Sequence, residues 1–318
     1  MKSMTDNIAF LFPGQGAQYV GMGKDLYDAY PSVRALFDAA DSRLGYSLTN
    51  LCFNGTDVEL TKTCFAQPAI FTASYAALTV LRENFPHIKP AMTAGLSLGE
   101  FSALAACRAI SFEDGLDLVR KRAEAMEKSA QNHPGTMASI LGLPIQICQQ
   151  IAKDSGCFLA NINSPEQIAL SGSAESIDVA CTIASSAGAK RAIPLKVGGA
   201  FHSPLMNDAR EELEAALRSV AIAAPQCVFI PNVSAEPVSD PEQIRSLLAS
   251  QLTSPVRWCE TMKRAESFGF RCGLEIGPGK VLKGLARQCA VPWPVINCGS
   301  AADFQKLDET LNKLSDKP

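Results

Sequence analysis

A serine between two glycines, in Gly95-Leu96-Ser97-Leu98-Gly99, is the strongest chemical signal in this sequence. The flanking glycines permit the sharp strand-to-helix turn of a nucleophile elbow, which exposes a serine hydroxyl. A small-residue strand pattern precedes the segment and a helical pattern follows it, as the elbow requires. The Leu98 N–H then opens the helix, where its partial positive charge would stabilise an oxyanion. The motif also arises by chance, so other residues must support it.

A serine hydroxyl needs a general base, and the sequence contains three histidines. We expect His87, in a proline-flanked loop, and His133, at a predicted domain junction, to be solvated. His202 lies in a glycine-rich turn just before a helix and is the candidate base, although a loop histidine without a function is about as common. No histidine follows it, whereas an α/β-hydrolase places its acid and then a late histidine after the serine. The sequence therefore favours a Ser–His dyad oriented by a backbone carbonyl.

The elements around Ser97 alternate as parallel βαβ units do. Ile8–Phe12 is a short apolar run closed by Pro-Gly, which is typical of a strand buried on both faces. Helices are predicted from about Gly23 to Leu44 and from Gln67 to Glu83, before the strand Met92–Gly95. The alternation predicts an α/β fold with a large α/β-hydrolase-like domain and a parallel sheet.

From about Thr136 to Leu195 the pattern changes to β-α-β-β-α-β, the ferredoxin-like order. The predicted elements are strand Thr136–Leu143, helix Pro144–Lys153, strands Phe158–Asn163 and Gln167–Gly172, helix Ala174–Ala187 and strand Arg191–Leu195. We predict a small inserted ferredoxin-like domain at residues 135–197 and a large catalytic domain formed by residues 1–134 and 198–318. The large domain resumes with an amphipathic helix from Leu205 to Val220 and with strands near Val228–Pro231 and Gly273–Ile276.

The composition excludes several classes of protein. Across 318 residues, 47% hydrophobic and 19% charged residues support an extensive core rather than disorder. A formal charge of -3 leaves no basic surplus for nucleic acid or an anionic membrane. Eleven scattered cysteines without a CxxC pair indicate reduced thiols and no metal site. The N-terminal apolar run is too short for a signal peptide, and no stretch approaches a membrane span, so we expect a cytoplasmic monomer.

Two further glycine-rich segments argue against nucleotide-binding folds. Gly14-Gln15-Gly16 lacks the third glycine of a dinucleotide fingerprint, because Tyr19 stands there. The segment from Gly277 to Val281 lacks the first glycine of a phosphate loop and the Ser or Thr that follows its lysine. Neither a Rossmann dehydrogenase nor an NTPase fits.

Five segments, in the same order, resemble the malonyl-CoA:acyl carrier protein transacylase family of dissociated fatty-acid synthesis. They span nearly the whole chain and are Phe12–Gln18, Gly95–Glu100, Gly199–Ser203, Ser254–Trp258 and Glu275–Lys280. The resemblance implies transfer of a malonyl group from malonyl-CoA to the phosphopantetheine thiol of an acyl carrier protein, through a malonyl-serine. It also implies no bound cofactor and a transient complex with the carrier, with neither nucleic acid nor membrane as a partner.

The resemblance also implies roles for matching residues. Ser97 corresponds to the acylated nucleophile and His202 to its general base, while the main-chain N–H groups of Gln15 and Leu98 would form the oxyanion hole. Gln251 corresponds to a substrate-site glutamine whose main chain is expected to orient the histidine.

Arg122 aligns with the arginine that binds the malonyl carboxylate. It lies on a helical pattern whose Leu116 and Val119 share an apolar face, and its neighbours are also basic, so an exposed helix arginine is an equally common interpretation. A fixed guanidinium would bind both carboxylate oxygens and favour malonyl over acetyl. Phe201 either shapes the acyl pocket or packs in the core. Leu96 departs from the family, which commonly has histidine there.

Two pairs of cations are candidates for binding the CoA phosphates or the acidic carrier. They are Lys190 with Arg191, near the end of the small domain, and Lys280 with Lys283, on a late helix. Solvated surface charge is the more common interpretation of such residues.

Three other functions stay open from the sequence. A serine hydrolase or thioesterase would not need a buried carboxylate-binding arginine, and an inactive acyltransferase-like binding module would not need an intact serine and histidine. A stand-alone acyltransferase of polyketide synthesis shares the chemistry and differs mainly in its carrier.

Overall fold

A computed structural model describes residues 7–315 of the chain. Within them the strands are β1 (Ile8–Phe12), β2 (Pro90–Gly95), β3 (Thr136–Leu141), β4 (Phe158–Ser164), β5 (Gln167–Gly172), β6 (Arg191–Pro194), β7 (Val228–Phe229), β8 (Cys272–Ile276) and β9 (Val295–Cys298). The helices are α1 (Lys24–Ala29), α2 (Pro31–Leu44), α3 (Leu48–Asn54), α4 (Asp57–Thr61), α5 (Thr63–Asn84), α6 (Gly99–Ala106), α7 (Phe112–Asn132), α8 (Ile145–Ser155), α9 (Ala174–Ser186), α10 (Asn207–Arg218), α11 (Pro241–Gln251), α12 (Trp258–Glu266), α13 (Val281–Gln288), α14 (Ala301–Gln305) and α15 (Leu307–Ser315).

The larger sheet is parallel, with the strand order β7-β2-β1-β8-β9. The central strand β1 contributes to two hydrophobic clusters: Ile8, Phe10 and Phe12 pack in one, and Ala9 and Leu11 pack in the other. Successive side chains of a strand point to opposite faces, and a cluster covers each face of β1. All five residues are therefore buried. The predicted α/β fold with a parallel sheet is confirmed.

The smaller sheet is antiparallel, with the order β4-β5-β3-β6. Helices α8 and α9 follow the first and third of its strands, which is the predicted ferredoxin-like arrangement. Its strands extend from Thr136 to Pro194, inside the proposed insert at residues 135–197. In the proposed larger domain, residues 1–6 and 316–318 lie outside the described part of the chain.

Several observed elements differ from the predicted ones. The helix expected from Gly23 to Leu44 is two helices, because Tyr30 precedes a proline and adopts an extended backbone. The helix expected from Leu205 becomes a 3-10 turn, Pro204–Met206, followed by α10. Helices α3 and α4 and strand β9 were not predicted, since elements this short have little periodic pattern.

Helix α5 corrects the expectation that no segment approaches a membrane span. Thr63–Asn84 is long and apolar enough to cross a bilayer, with a mean hydropathy of 1.4 over its most apolar window. However, 78% of that window is buried inside the protein, which is what a central core helix shows. Small residues such as Ala69, Ala73 and Ala77 let neighbouring helices pack closely against it.

Candidate active site

The serine elbow forms where β1 and β2 end beside each other, with Phe12 opposite Gly95. A Cβ on Gly95 would collide with the backbone of Gly99, and a Cβ on Gly99 would collide with the Phe12 carbonyl. Ser97 has a φ of 50°, in the left-handed region that residues other than glycine rarely adopt. The two glycines therefore allow the turn to close, and the serine carries the strained conformation that exposes its hydroxyl.

Ser97 and His202, distant in sequence, meet across the cleft. Ser97 Oγ lies 2.8 Å from His202 Nε2, and His202 Nδ1 lies 2.9 Å from the main-chain oxygen of Gln251. Because a carbonyl only accepts hydrogen bonds, Nδ1 carries the proton and Nε2 is left to accept one from serine. His87 and His133 are exposed, as expected from the sequence.

The electrostatic surroundings of His202 keep its imidazole neutral. Burial, reinforced by the nearby positive charge of Arg122, lowers the pKa of His202 to about 4. His202 also has a left-handed backbone, with a φ of 58°. A neutral imidazole held in one orientation is suited to accept the proton of the Ser97 hydroxyl at neutral pH.

Two main-chain N–H groups, one next to Ser97 in the chain and one in the lining of its cleft, have no acceptor among the described residues. Among the hydrogen bonds of residues 7–315, neither the Gln15 N–H nor the Leu98 N–H is used as a donor. Leu98 directly precedes α6, so its N–H lies at the positive end of that helix. Gln15 lines the cleft that contains Ser97. Both groups are therefore available to an oxyanion.

Arg122 is fully buried, which excludes the interpretation that it is an exposed arginine on a helix surface. Its Nη1 donates to Gln67 Oε1 at 2.6 Å, and its Nη2 donates to Gln251 Oε1 and to Ser97 Oγ, each at 2.9 Å. Burial lowers the pKa of Arg122 to about 10, so the guanidinium stays charged at neutral pH. Its Nε is buried and donates to no atom of the described residues. The centroid of the Phe101 ring lies 5.7 Å from the guanidinium carbon.

Glu100 and Asn232 also belong to the site, and the sequence analysis did not identify them. Asn232 Oδ1 accepts the Ser97 N–H at 2.7 Å, while its Nδ2 donates to Gly95 O at 2.6 Å. Glu100 Oε2 accepts from Asn232 N at 3.0 Å and from Gln251 Nε2 at 2.8 Å. Glu100 was visible as the residue after the elbow, but Asn232 lies in a loop with no local signal.

A cleft of about 380 Å³ separates the elbow from the small sheet. Its walls include Gln15, Leu96, Ser97, Phe201 and His202 on one side and Met137, Ser139, Asn161, Asn163 and Gln167 on the other. Phe201 is buried at the wall, so it both lines the cleft and packs in the core. Lys196, which was not among the residues predicted from the sequence, contributes a cationic side chain to this lining.

The four cations proposed for phosphates or the carrier lie outside the Ser97 cluster. Lys190 is exposed and pairs with Glu166 at 2.9 Å, so its charge is already partly compensated. Arg191 and Lys280 are exposed, and Lys283 is half-buried. Among residues 7–315, no group of three or more His, Cys, Asp or Glu side chains is arranged to hold a metal ion.

Known proteins are similar to this chain in both sequence and fold. The acyl transferase domain family matches residues 9–291. A malonyl CoA-acyl carrier protein transacylase from Bacillus subtilis (strain 168) is 45% identical over 97% of this chain and 98% of its own length. The crystal structure of an acyl carrier protein S-malonyltransferase from Vibrio cholerae aligns with a TM-score of 0.91 and 35% identity, covering 95% of this chain and 99% of that one.

A further solved structure includes a partner. It is described as a type II PKS acyl-carrier protein in complex with its malonyl-transacylase, and it aligns with a TM-score of 0.90 at 35% identity over 96% of this chain and 99% of that one. Since the family match and these relatives span almost the full length, the chain belongs to the acyl transferase domain family and, within it, to the malonyl CoA-acyl carrier protein transacylases.

Proposed function

We propose that this protein transfers a malonyl group from malonyl-CoA to the phosphopantetheine thiol of an acyl carrier protein, through a malonyl ester of Ser97. The observation that carries the proposal is the Ser97–His202 pair with the buried guanidinium of Arg122 only 2.9 Å from the serine oxygen. This places a fixed cation within reach of an acyl group on that serine. The names of the relatives support the same substrates.

In the first half-reaction, Ser97 attacks the thioester carbonyl while His202 takes the hydroxyl proton at Nε2. The Gln15 and Leu98 N–H groups stabilise the oxyanion, and the Gln251 carbonyl holds the imidazolium through Nδ1. Collapse of the tetrahedral intermediate breaks the carbon–sulfur bond, and His202 gives its proton to the departing CoA thiolate. Malonyl-Ser97 remains.

In the second half-reaction, the thiol of the carrier's phosphopantetheine arm attacks malonyl-Ser97 in the reverse sense. His202 takes the thiol proton and returns it to Ser97 as the ester bond breaks. Throughout, the malonyl carboxylate is held by Arg122, whose orientation depends on Gln67 and Gln251. Phe201 limits the space beside the acyl group at the cleft wall.

The same geometry argues against hydrolysis as the main reaction. His202 is oriented by a neutral carbonyl rather than a carboxylate, so its ability to activate water is weak compared with its ability to exchange protons with a thiol. A general hydrolase also gains nothing from a fully buried arginine beside its nucleophile. An inactive binding module would not need unpaired N–H groups beside an intact dyad.

We propose a transient complex with an acyl carrier protein, a monomeric enzyme without a bound cofactor, and a cytoplasmic location. Lys280 and Lys283, beside the cleft-lining Val281, are proposed to meet the acidic carrier, while Lys190 and Arg191 are proposed to meet CoA phosphates. The carrier belongs either to fatty-acid or to polyketide synthesis; one similar solved structure is described as a complex with a type II PKS acyl-carrier protein.

Intact-protein mass spectrometry tests the proposal directly. The enzyme is mixed with malonyl-CoA or acetyl-CoA, and the mass of the protein is recorded before and after addition of a holo-carrier. A malonyl adduct should form in the wild type, disappear on addition of the carrier and be absent from Ser97→Ala. Equal labelling of the wild type by both thioesters would contradict the proposed specificity, and absence of any adduct would contradict the proposed mechanism.

A further inference from the structure

Glu100 is a fully buried carboxyl group that the mechanism above does not use. It lies in the first turn of α6, three residues after the nucleophile. Its Oε2 accepts two hydrogen bonds, from the Asn232 main chain and from the Gln251 side chain, whereas Oε1 has no partner among the described residues. An unsatisfied oxygen in so buried a place is costly, so the group calls for an explanation.

The Gln251 side chain links Glu100 to both reacting parts of the site. Its Oε1 accepts from Arg122, and its Nε2 donates to Glu100 and, at 3.0 Å, to the main-chain oxygen of Ser97. Its own main-chain oxygen accepts from His202. One residue therefore contacts the guanidinium, the elbow and the imidazole at once.

The amide of Gln251 has only one favourable orientation. Rotating it by a half turn would set its NH₂ against the guanidinium, which only donates, and its oxygen against the Glu100 oxygen, which accepts. Arg122 and Glu100 therefore lock the amide from opposite sides. Without an acceptor at position 100, Nε2 would lose its shortest hydrogen bond, at 2.8 Å, and keep only the longer ones to Ser97 O at 3.0 Å and Asn232 Oδ1 at 3.4 Å. The amide, and with it the guanidinium, would then be held less firmly.

We propose that Glu100 is a positioning residue: by accepting from the Gln251 amide it fixes the Arg122 guanidinium in the orientation that binds the malonyl carboxylate. The inference deepens the proposed function and rests on it. Glu100 touches no substrate, and it acts through Gln251. Burial raises the pKa of Glu100 to about 7, and a proton on the unpaired Oε1 leaves Oε2 free to accept as before.

A bland alternative is that Glu100 only stabilises the fold, as an acidic residue at a helix N-terminus. The two roles differ in what they predict for substrate choice. Loss of a helix-stabilising charge lowers stability and affects both thioesters alike. Loss of the lock on Gln251 weakens loading from malonyl-CoA more than loading from acetyl-CoA, which lacks the carboxylate.

The test compares Glu100→Ala, Glu100→Gln and the control Ser102→Ala in the full-length enzyme. Ser102 lies on the same helix and is also buried, but its hydroxyl makes no hydrogen bond to any of the described residues. Rate constants for acylation by malonyl-CoA and by acetyl-CoA are measured by quenched-flow mass spectrometry, together with the melting temperature. Gln keeps an acceptor oxygen and removes the charge, so it separates positioning from electrostatics.

We expect Glu100→Ala to lower the malonyl-to-acetyl ratio of kcat/KM by about 10- to 100-fold, the range typical of a misplaced binding group. Glu100→Gln should restore most of that ratio, and Ser102→Ala should keep it. An unchanged ratio in Glu100→Ala, or a ratio in Glu100→Gln as low as in Glu100→Ala, would overturn the positioning role. Failure of the wild type to form malonyl-Ser97 would instead overturn the proposed function.

Discussion

Replacing Arg122 by alanine is the most direct perturbation of substrate choice. The guanidinium is fully buried and holds Ser97, Gln67 and Gln251 in one network. Alanine would leave a malonyl carboxylate to enter the same site without a cation. An acetyl group has no such requirement, so the two thioesters should respond differently.

The size of the expected effect follows from the burial of the ion pair that the malonyl carboxylate would form with Arg122. Leaving one partner of a buried ion pair uncompensated costs about 3–5 kcal/mol. Since each 1.4 kcal/mol or so is a factor of ten, the preference for malonyl over acetyl should fall by about a hundredfold to a few thousandfold. Because Arg122 lowers the pKa of His202, removing its charge should also raise that pKa above about 4.

The assay is the kcat/KM of acyl-enzyme formation from each thioester, with folding checked by circular dichroism. Arg120→Ala is the matched control, because Arg120 lies on the same helix and is half-buried, but faces Glu124 at 3.9 Å. It should keep the wild-type preference. If Arg122→Ala stays folded and still prefers malonyl-CoA by the wild-type factor, carboxylate binding by Arg122 is refuted.

Three further outcomes are expected. Wild-type acylation should be independent of pH near neutrality and decline as the pH falls through about 4, where His202 gains a proton; a decline centred near 6.5 in a rapid-mixing pH profile would contradict a depressed pKa. Gly99→Ala should lower the free energy of unfolding by about 1–3 kcal/mol or more, because its Cβ meets the Phe12 carbonyl, whereas Gly284→Ala, which has open space, should not destabilise in denaturant titrations. Reversing the charge of Lys280 and Lys283 should raise the KM for the carrier and spare loading from malonyl-CoA; an unchanged KM in steady-state kinetics would argue against docking there.

Local pattern was enough to predict much of the fold. The buried run Ile8–Phe12 and the β-α-β-β-α-β order after Thr136 predicted the parallel and the antiparallel sheet, because period and order are properties of neighbouring residues. The break at Tyr30 was missed, although the residue before a proline avoids helical backbone and so carried the signal. Strand β9 was missed as well, because four residues carry too little pattern to separate a strand from a loop.

The elbow around Ser97 is likewise a local matter, because two glycines and the turn they permit lie within five residues. Asn232, Glu100 and Gln251 are different, because the hydrogen bonds they make around the elbow join residues 135 to 154 positions apart in the chain. Hydrogen bonds depend on distance and direction, which chain order does not specify. Whether Arg122 faced water or the nucleophile was therefore settled by how α7 packs, and its burial beside Ser97 is the result of tertiary structure alone.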